Sequence, residues 1–393
     1  MMHGFEFYTP TRVIFGAGSL EKLPEAVGRC GAKRVFVIYG GQSAKKSGTL
    51  DRVEALLTGA GIAFAAIGGV KPNPRLGLAR EAIREAIAFG ADLILAVGGG
   101  SVIDTAKATA HGTANPEADI WDIWMGKVKL EKSLPVGVVL TIPAAGSEMS
   151  DSAVLTDEAA LAKRGLNTDL NRPAFALMDP ALAATLPARQ AACGVTDIMM
   201  HTLERYVNPL ENDMTDEIAE ALLRVVIRHG EAVVKNPGDI DAMSEIMWAG
   251  SLSHNNLTGL GGKKDFSVHQ FGQAIGEKFD IYHGETLSAM WASYARYVAP
   301  TNFARFARYA RNVWGVEEAD DEKAAMAGID ATEAYFKRLG MPVRIAELSC
   351  GAQDEAGLYD LALRCSRNRG RTIGSFRVLD FEDMLNVYQM ANK

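Results

Sequence analysis

Cysteine is scarce: four residues in 393, at Cys30, Cys193, Cys350 and Cys365, with no C-x-x-C spacing. That excludes a disulfide framework and a zinc ribbon, and reads as reduced thiols in a cytosolic protein. Positive charge is short as well, with 41 Lys and Arg against 48 Asp and Glu and a formal net charge of −7. General nucleic-acid binding needs a positive field, so this balance argues against it. No apolar run approaches ~18 residues, and no membrane-spanning helix is expected. The opening MMHGFEFYTPTRV lacks the basic-then-apolar layout of a secretory signal. Histidine is also rare, at seven.

What is present is ordinary for a soluble globular chain: 48% hydrophobic and 23% charged residues. A length of 393 residues exceeds one ordinary core and suits two domains. FEFYTPTRVIFGAGSL predicts two short strands and a turn. Strand-length apolar runs then alternate with helical periodicity. Strands are expected at Lys33–Tyr39, Ile62–Ile67, Leu93–Val97 and Val136–Ile142. Helices are expected at Thr49–Thr58, at Leu78–Phe89 with Leu78, Ile83 and Ile87 on the buried side, and at Val102–Ala110. That alternation builds a parallel sheet with right-handed crossovers. Beyond Leu186-Pro187 it stops, and amphipathic helices such as Asp216–Val234 dominate. An α/β domain over 1–186 and an all-α domain over 187–393 are therefore expected.

Ligands in open α/β sheets bind at strand C-termini. Gly98–Ser101, in AVGGGSVIDTAK, lets the backbone approach a bulky anion while the next helix points its N–H groups at it. The spacing is neither GxGxxG nor a P-loop. A second small, hydroxyl-rich loop, TIPAAGSEMS, follows the strand ending near Ile142.

In the helical half, GVTDIMMHTLE places Asp197 and His201 four apart, on one helical face. Alone, such a pair also reads as helix surface. His269 and His283 follow in SVHQFGQAIGEKFDIYHGETLS. One carboxylate and three imidazoles suit Fe²⁺ or Zn²⁺. A dinucleotide-type loop and such a cluster together lay out metal-assisted hydride transfer. His254 reads as structural or pocket-lining, His111 and His229 as helix-end surface residues, and Trp121 and Trp124 as anchors.

FGAGSL, GGGSVIDTAK, TIPAAGSEMS, GVTDIMMHTLE and the His269-to-His283 segment ending in HGE resemble, in that order, the iron-containing (group III) alcohol dehydrogenase family. YGGQSAKKSG is similar to its butanol dehydrogenase and aldehyde reductase branch. The resemblance implies a Rossmann-like N-terminal domain, a helical C-terminal domain in the architecture shared with dehydroquinate synthase, and a metal at the cleft. It implies that Asp197, His201, His269 and His283 are the metal ligands. Gly99, Gly100 and Ser101 match the pyrophosphate loop with Asp104 beside it, and Thr141, Ser147, Lys163 and Leu182 match further cofactor-lining positions. Two positions depart from the family pattern: Gln273 stands where a second histidine is usual, and Ala145 where a threonine is usual.

The implied activity is NAD(P)-linked interconversion of primary aliphatic alcohols and aldehydes, in a cytoplasmic homodimer. The alternatives are a polyol dehydrogenase of the same family, or a dehydroquinate synthase-like lyase, from which extra Lys and Arg around the metal helix would be expected. The loop Gly40-Gly41-Gln42-Ser43 has no acidic residue before Asp51, and Lys45 and Lys46 follow closely. With Gly40 and Ser43 at the adenosine ribose, NADP is favoured over NAD.

Overall fold

The computed structural model describes residues 3–160 and 162–393. Contacts divide the chain into two units. One comprises Tyr8–Leu186 with Pro237–Met247; the other comprises the described N-terminal residues through Phe7 with Pro187–Asn236 and Trp248–Lys393.

The first unit runs β1 (Arg12–Phe15), α1 (Leu23–Arg29), β2 (Arg34–Tyr39), α2 (Ser43–Lys46), α3 (Thr49–Gly59), β3 (Ala63–Ile67) and α4 (Leu76–Phe89). It continues through β4 (Leu93–Gly98), α5 (Gly100–Ala114), α6 (Ile120–Trp124), β5 (Val136–Leu140), β6 (Ser152–Asp157), β7 (Ala162–Asn167) and β8 (Phe175–Met178). Six strands form a parallel sheet in the order β1-β8-β5-β4-β2-β3. Leu93–Gly98 and Val136–Leu140 are buried along their whole length. Strands covered on both faces read as continuous apolar runs, which is why the sequence pattern exposed them.

Three expectations need correction. The opening segment supplies one strand, β1, and Phe5, Phe7 and Tyr8 are exposed. On α4 the buried stripe is Leu76, Ala79, Ala82 and Ala86, whereas Ile87 is 42% exposed. Ile83, expected on the buried side, does pack against the core there: a Cβ on Gly112 of α5 would lie 2.2 Å from its side chain. His111 is buried in α5, not at the surface. Its Nε2–H donates to Asn171 Oδ1 and its Nδ1 meets the Ser133 hydroxyl, both at 2.8 Å. The Asn171 amide donates onward to the Asp151 and Leu166 carbonyls.

The second unit contains α7 (Ala188–Tyr206), α8 (Asp213–Lys235), the end of α9 (Ile240–His254), α10 (Ser267–Phe279), α11 (His283–Val298), α12 (Phe303–Trp314), α13 (Asp321–Arg338), α14 (Glu355–Cys365) and α15 (Phe381–Ala391). Ala219, Leu222, Leu223, Val226 and Val233 are the buried face of α8. The α7 C-terminus is pinned by Arg305 of α12, fully buried, which forks onto Asp216 and donates to the Tyr206 carbonyl. Removing one member would leave a buried charge uncompensated.

Burial pushes the His111 imidazole down to about 4, against the Asn171 hydrogen bond. Between pH 6.5 and about 4 the unfolded chain therefore binds a proton that the native state does not. Stability from this group is full above 6.5 and lost as pH falls to about 4, on the order of 3 kcal/mol. His111→Gln should unfold with a flatter stability–pH profile over that window in urea titrations. A profile as steep as the parent's would remove His111 from the account.

Candidate functional site

The α7 helix presents Arg189, Cys193, Asp197 and His201 at intervals of four, a single stripe. Two other helices add imidazoles to it: His269 lies in the first turn of α10 and His283 is the first residue of α11. Asp197 Oδ1 lies 3.6 Å from His201 Nδ1, 3.6 Å from His269 Nε2 and 3.9 Å from His283 Nε2. These separations are too long for hydrogen bonds. Ligand atoms about 2.1 Å from one ion at tetrahedral angles stand about 3.4 Å apart, close to what is seen. The ligand atoms of Asp197, His269 and His283 all fall within 4.8 Å of one another. His201 stands beside that trio, its ring stacked 4.6 Å from His269.

Asp197 Oδ1, His201 Nδ1 and His269 Nε2 are buried and have no hydrogen-bond partner among the described residues. Orphaned buried acceptors are costly, and a divalent cation is the partner that satisfies a carboxylate and neutral imidazoles together. The residues fit a metal.

Sequence reading missed the group that aims His269. Glu204, fully buried, accepts from His269 Nδ1–H and from the Val268 main-chain N–H. A carboxylate on the far nitrogen sets the tautomer and orients the other nitrogen. Glu204 is seven residues after Asp197 and three after His201, so the helical stripe was the available signal. Burial alone would hold His269 down, but the Glu204 and Asp197 carboxylates outweigh it and lift it to about 9. His201 is pushed well below its usual range by burial and then by the His254 and His269 rings. His254 lies edge-on to His201 at 4.0 Å.

The entry to α10 is held firmly. Asp265 accepts from Tyr294 OH at 2.6 Å, Ser267 N–H at 3.1 Å, and the N–H groups of Ser375 and Phe376. Phe266 caps the helix at φ 54, a left-handed conformation unusual for a bulky residue. Its ring meets His269 at 5.0 Å and carries the Arg205 guanidinium 4.7 Å above it. Gln273, one turn beyond His269, donates from Nε2 to Glu277 at 3.0 Å.

In the sheet unit, strand order reverses between β2 and β4, where Tyr39 pairs with Val97. Ligands of open α/β sheets bind at such a point. β2 runs into Gly40 and Ser43, and β4 into Gly99, Gly100 and Ser101, with Gly99 capping α5. The next strand, β5, leads to Thr141, whose N–H donates to the Gly98 carbonyl at 3.1 Å. The glycines are sterically required. A Cβ on Gly98 would lie 2.5 Å from Val102, on Gly99 2.7 Å from Ile142, and on Gly100 3.0 Å from Ala145. The cradle is braced from below: Ser147 OH donates to Asp104 and receives from Lys107 Nζ, and Val154 N–H donates to the other Asp104 oxygen. Asp104 thereby holds the loop. Lys163 on β7 donates to Asn73 at 3.1 Å. Leu182 packs against the core around α1 and α3.

Comparisons with known proteins agree with this geometry. Residues 10–180 match the model of iron-containing alcohol dehydrogenases, and residues 190–392 match the C-terminal model of the Fe-containing alcohol dehydrogenase family. The chain is 36% identical to NADH-dependent butanol dehydrogenase A of Clostridium acetobutylicum over 99% of its own length and 100% of that protein's. It is 34% identical to an NADPH-dependent aldehyde reductase of Escherichia coli, covering 88% of this chain and 89% of the reductase. The crystal structure of NADH-dependent butanol dehydrogenase A from Thermotoga maritima superposes with a TM-score of 0.95 at 32% identity, covering 100% of this chain and 99% of that one. The chain belongs to the iron-containing alcohol dehydrogenase family. It is an oxidoreductase that interconverts alcohols and aldehydes with a nicotinamide cofactor. No helix among the described residues is long and apolar enough to cross a membrane.

Glu204→Gln keeps the shape of the His269 partner but removes its charge. Metal affinity measured by chelator competition should fall about 10- to 100-fold. Parent-like affinity would mean that Glu204 does not orient the ligand.

Proposed function

We propose that this chain is a metal-dependent reductase of primary aliphatic aldehydes, running in reverse as a butanol-type dehydrogenase, with NADP(H) as the favoured cofactor. Asp197, His201, His269 and His283 are the proposed ligands of one divalent ion, Fe²⁺ or Zn²⁺. The observation that carries the reading is the convergence of buried, unpartnered acceptor atoms on Asp197. When bound, the cation polarises the carbonyl oxygen and the reduced nicotinamide supplies the hydride. Gly99, Gly100 and Ser101, with Thr141, Ser147, Lys163 and Leu182 around them, are the proposed cofactor positions. A cytoplasmic homodimer is the proposed working form. The four free cysteines suit a reducing compartment.

The chain's own residues set how the proton is handled. Glutamine does not exchange a proton near neutrality, so Gln273 can only hydrogen-bond. Its amide is turned toward Glu277. Gln273 would then hydrogen-bond without supplying the proton, which would fall to water or, with the cofactor bound, to its ribose hydroxyl. Gln273→His should add a group titrating near neutrality to the pH–rate profile. An unchanged profile, with hydride transfer rate-limiting, would take this position out of proton transfer.

The reading of cofactor preference rests on the end of β2. Lys45 sits with its ammonium 5.2 Å from the Tyr39 ring centroid, beside the strand end, and Ser43 opens α2. A Cβ on Gly40 would make only ordinary contacts, 3.7 Å to Val102, so an aspartate is accommodated there. With an aliphatic aldehyde and saturating metal, the parent should show the higher kcat/KM with NADPH. Gly40→Asp should lose about tenfold or more of that, equivalent to one charge-assisted bond. A parent preferring NADH, or a variant with full NADPH use, would contradict the assignment.

A further inference from the structure

We propose that Arg189 is a positioning residue: with Gly284 and Glu285 it locks the first turn of α11 against α7 and so sets His283 against Asp197. The inference rests on the metal reading above and goes beyond the ligands themselves. The four groups reach the site by different routes. His201 shares a helix with Asp197, and His269 is tied to that helix through Glu204. His283 arrives on a third element, stands farthest from Asp197 Oδ1 at 3.9 Å, and has the most exposed side chain of the three histidines, 31% against 12% and 5%.

Its registration is read from the stripe on α7, turn by turn. Arg189 forks onto both carboxylate oxygens of Glu285, with the Nη2–Oε2 arm at 2.8 Å. The same guanidinium lies 5.0 Å from the Tyr282 ring centroid. One turn along, Gly284 rests on the Cys193 backbone, where a Cβ would come within 2.6 Å of the carbonyl oxygen. One further turn brings Asp197 opposite His283. Arg189, Cys193 and Asp197 thus engage residues 285, 284 and 283 in sequence, and Tyr282 closes the same turn. A bidentate fork fixes orientation as well as distance, which a lysine would not reproduce. Arg189 is 60% exposed and Glu285 8%. Arg189→Met leaves the nearly buried Glu285 carboxylate without its partner, whereas Glu285→Gln removes that charge and leaves the exposed arginine to solvent. Placement and folding are therefore separated in Glu285→Gln.

The test uses Co²⁺ with the parent, Arg189→Met, Glu285→Gln and the exchanged pair Arg189→Glu with Glu285→Arg. The readouts are chelator-competition affinity, the visible ligand-field bands of bound Co²⁺, and Tm of the metal-free protein. The expected result is one Co²⁺ per parent chain, affinity at least tenfold weaker in each single variant with altered bands, metal-free Tm near the parent's in Glu285→Gln, and partial recovery in the exchanged pair. Parent-like affinity and bands in both single variants would overturn the lock. So would a loss of affinity that follows only a fall in metal-free Tm, since that is a folding effect. If one single variant fails to fold, the other decides. A parent that binds no Co²⁺ would instead overturn the metal reading, and is distinguished by that control.

Discussion

The second unit is arranged around the burial of a carboxylate beside three imidazoles. Taking an ion from water costs several kcal/mol unless it is paired and hydrogen-bonded. Asp197 Oδ1 has no hydrogen-bond partner among the described residues, although its side chain is only 7% exposed and three imidazoles face it at 3.6–3.9 Å. A divalent cation would complete it. The surrounding architecture is consistent with this demand: Arg305 pins the end of α7, Glu204 aims His269, and Asp265 fixes the entry to α10. Each of these acts on backbone or ligand orientation and none competes for the unpartnered atoms.

The sheet unit meets a different constraint, close backbone approach. Gly99 and Gly100 let two strand-end loops lie against each other, and Gly98 leaves room for Val102 of α5. Beneath them, Lys107 is fully buried and burial pulls it down to about 8, with Asp104 and Glu148 opposing. Its ammonium spans Ser147, Ser150 and the Ser152 carbonyl. A buried charge of this kind is tolerated because every donor finds an acceptor, and the result is a loop with little freedom to move.

Much of this was legible in the chain itself. Continuous apolar runs marked β2, β4 and β5, because strands covered on both faces need them. Asp197 and His201 showed as a helical pair, and His269 and His283 stood out in a chain with seven histidines. Other features depend on contacts between distant residues. β8 has four residues and inserts between β1 and β5, a place no local pattern announces. The alanine stripe of α4 was overlooked because periodicity weights large apolar residues. His111 owes its burial to Ser133 and Asn171, 22 and 60 residues away. Glu204 was visible on the stripe, but a lone glutamate acquires meaning only when His269 is seen to lean on it.

The central claim, that the orphaned atoms are ligands of one ion, is tested most directly by anomalous diffraction at the absorption edge of Fe or Zn from crystals grown with that metal. The account predicts a single peak per chain at about 2.0–2.3 Å from the ligand atoms of Asp197, His201, His269 and His283. An absent peak, or one bound elsewhere with these four side chains unengaged, would contradict it.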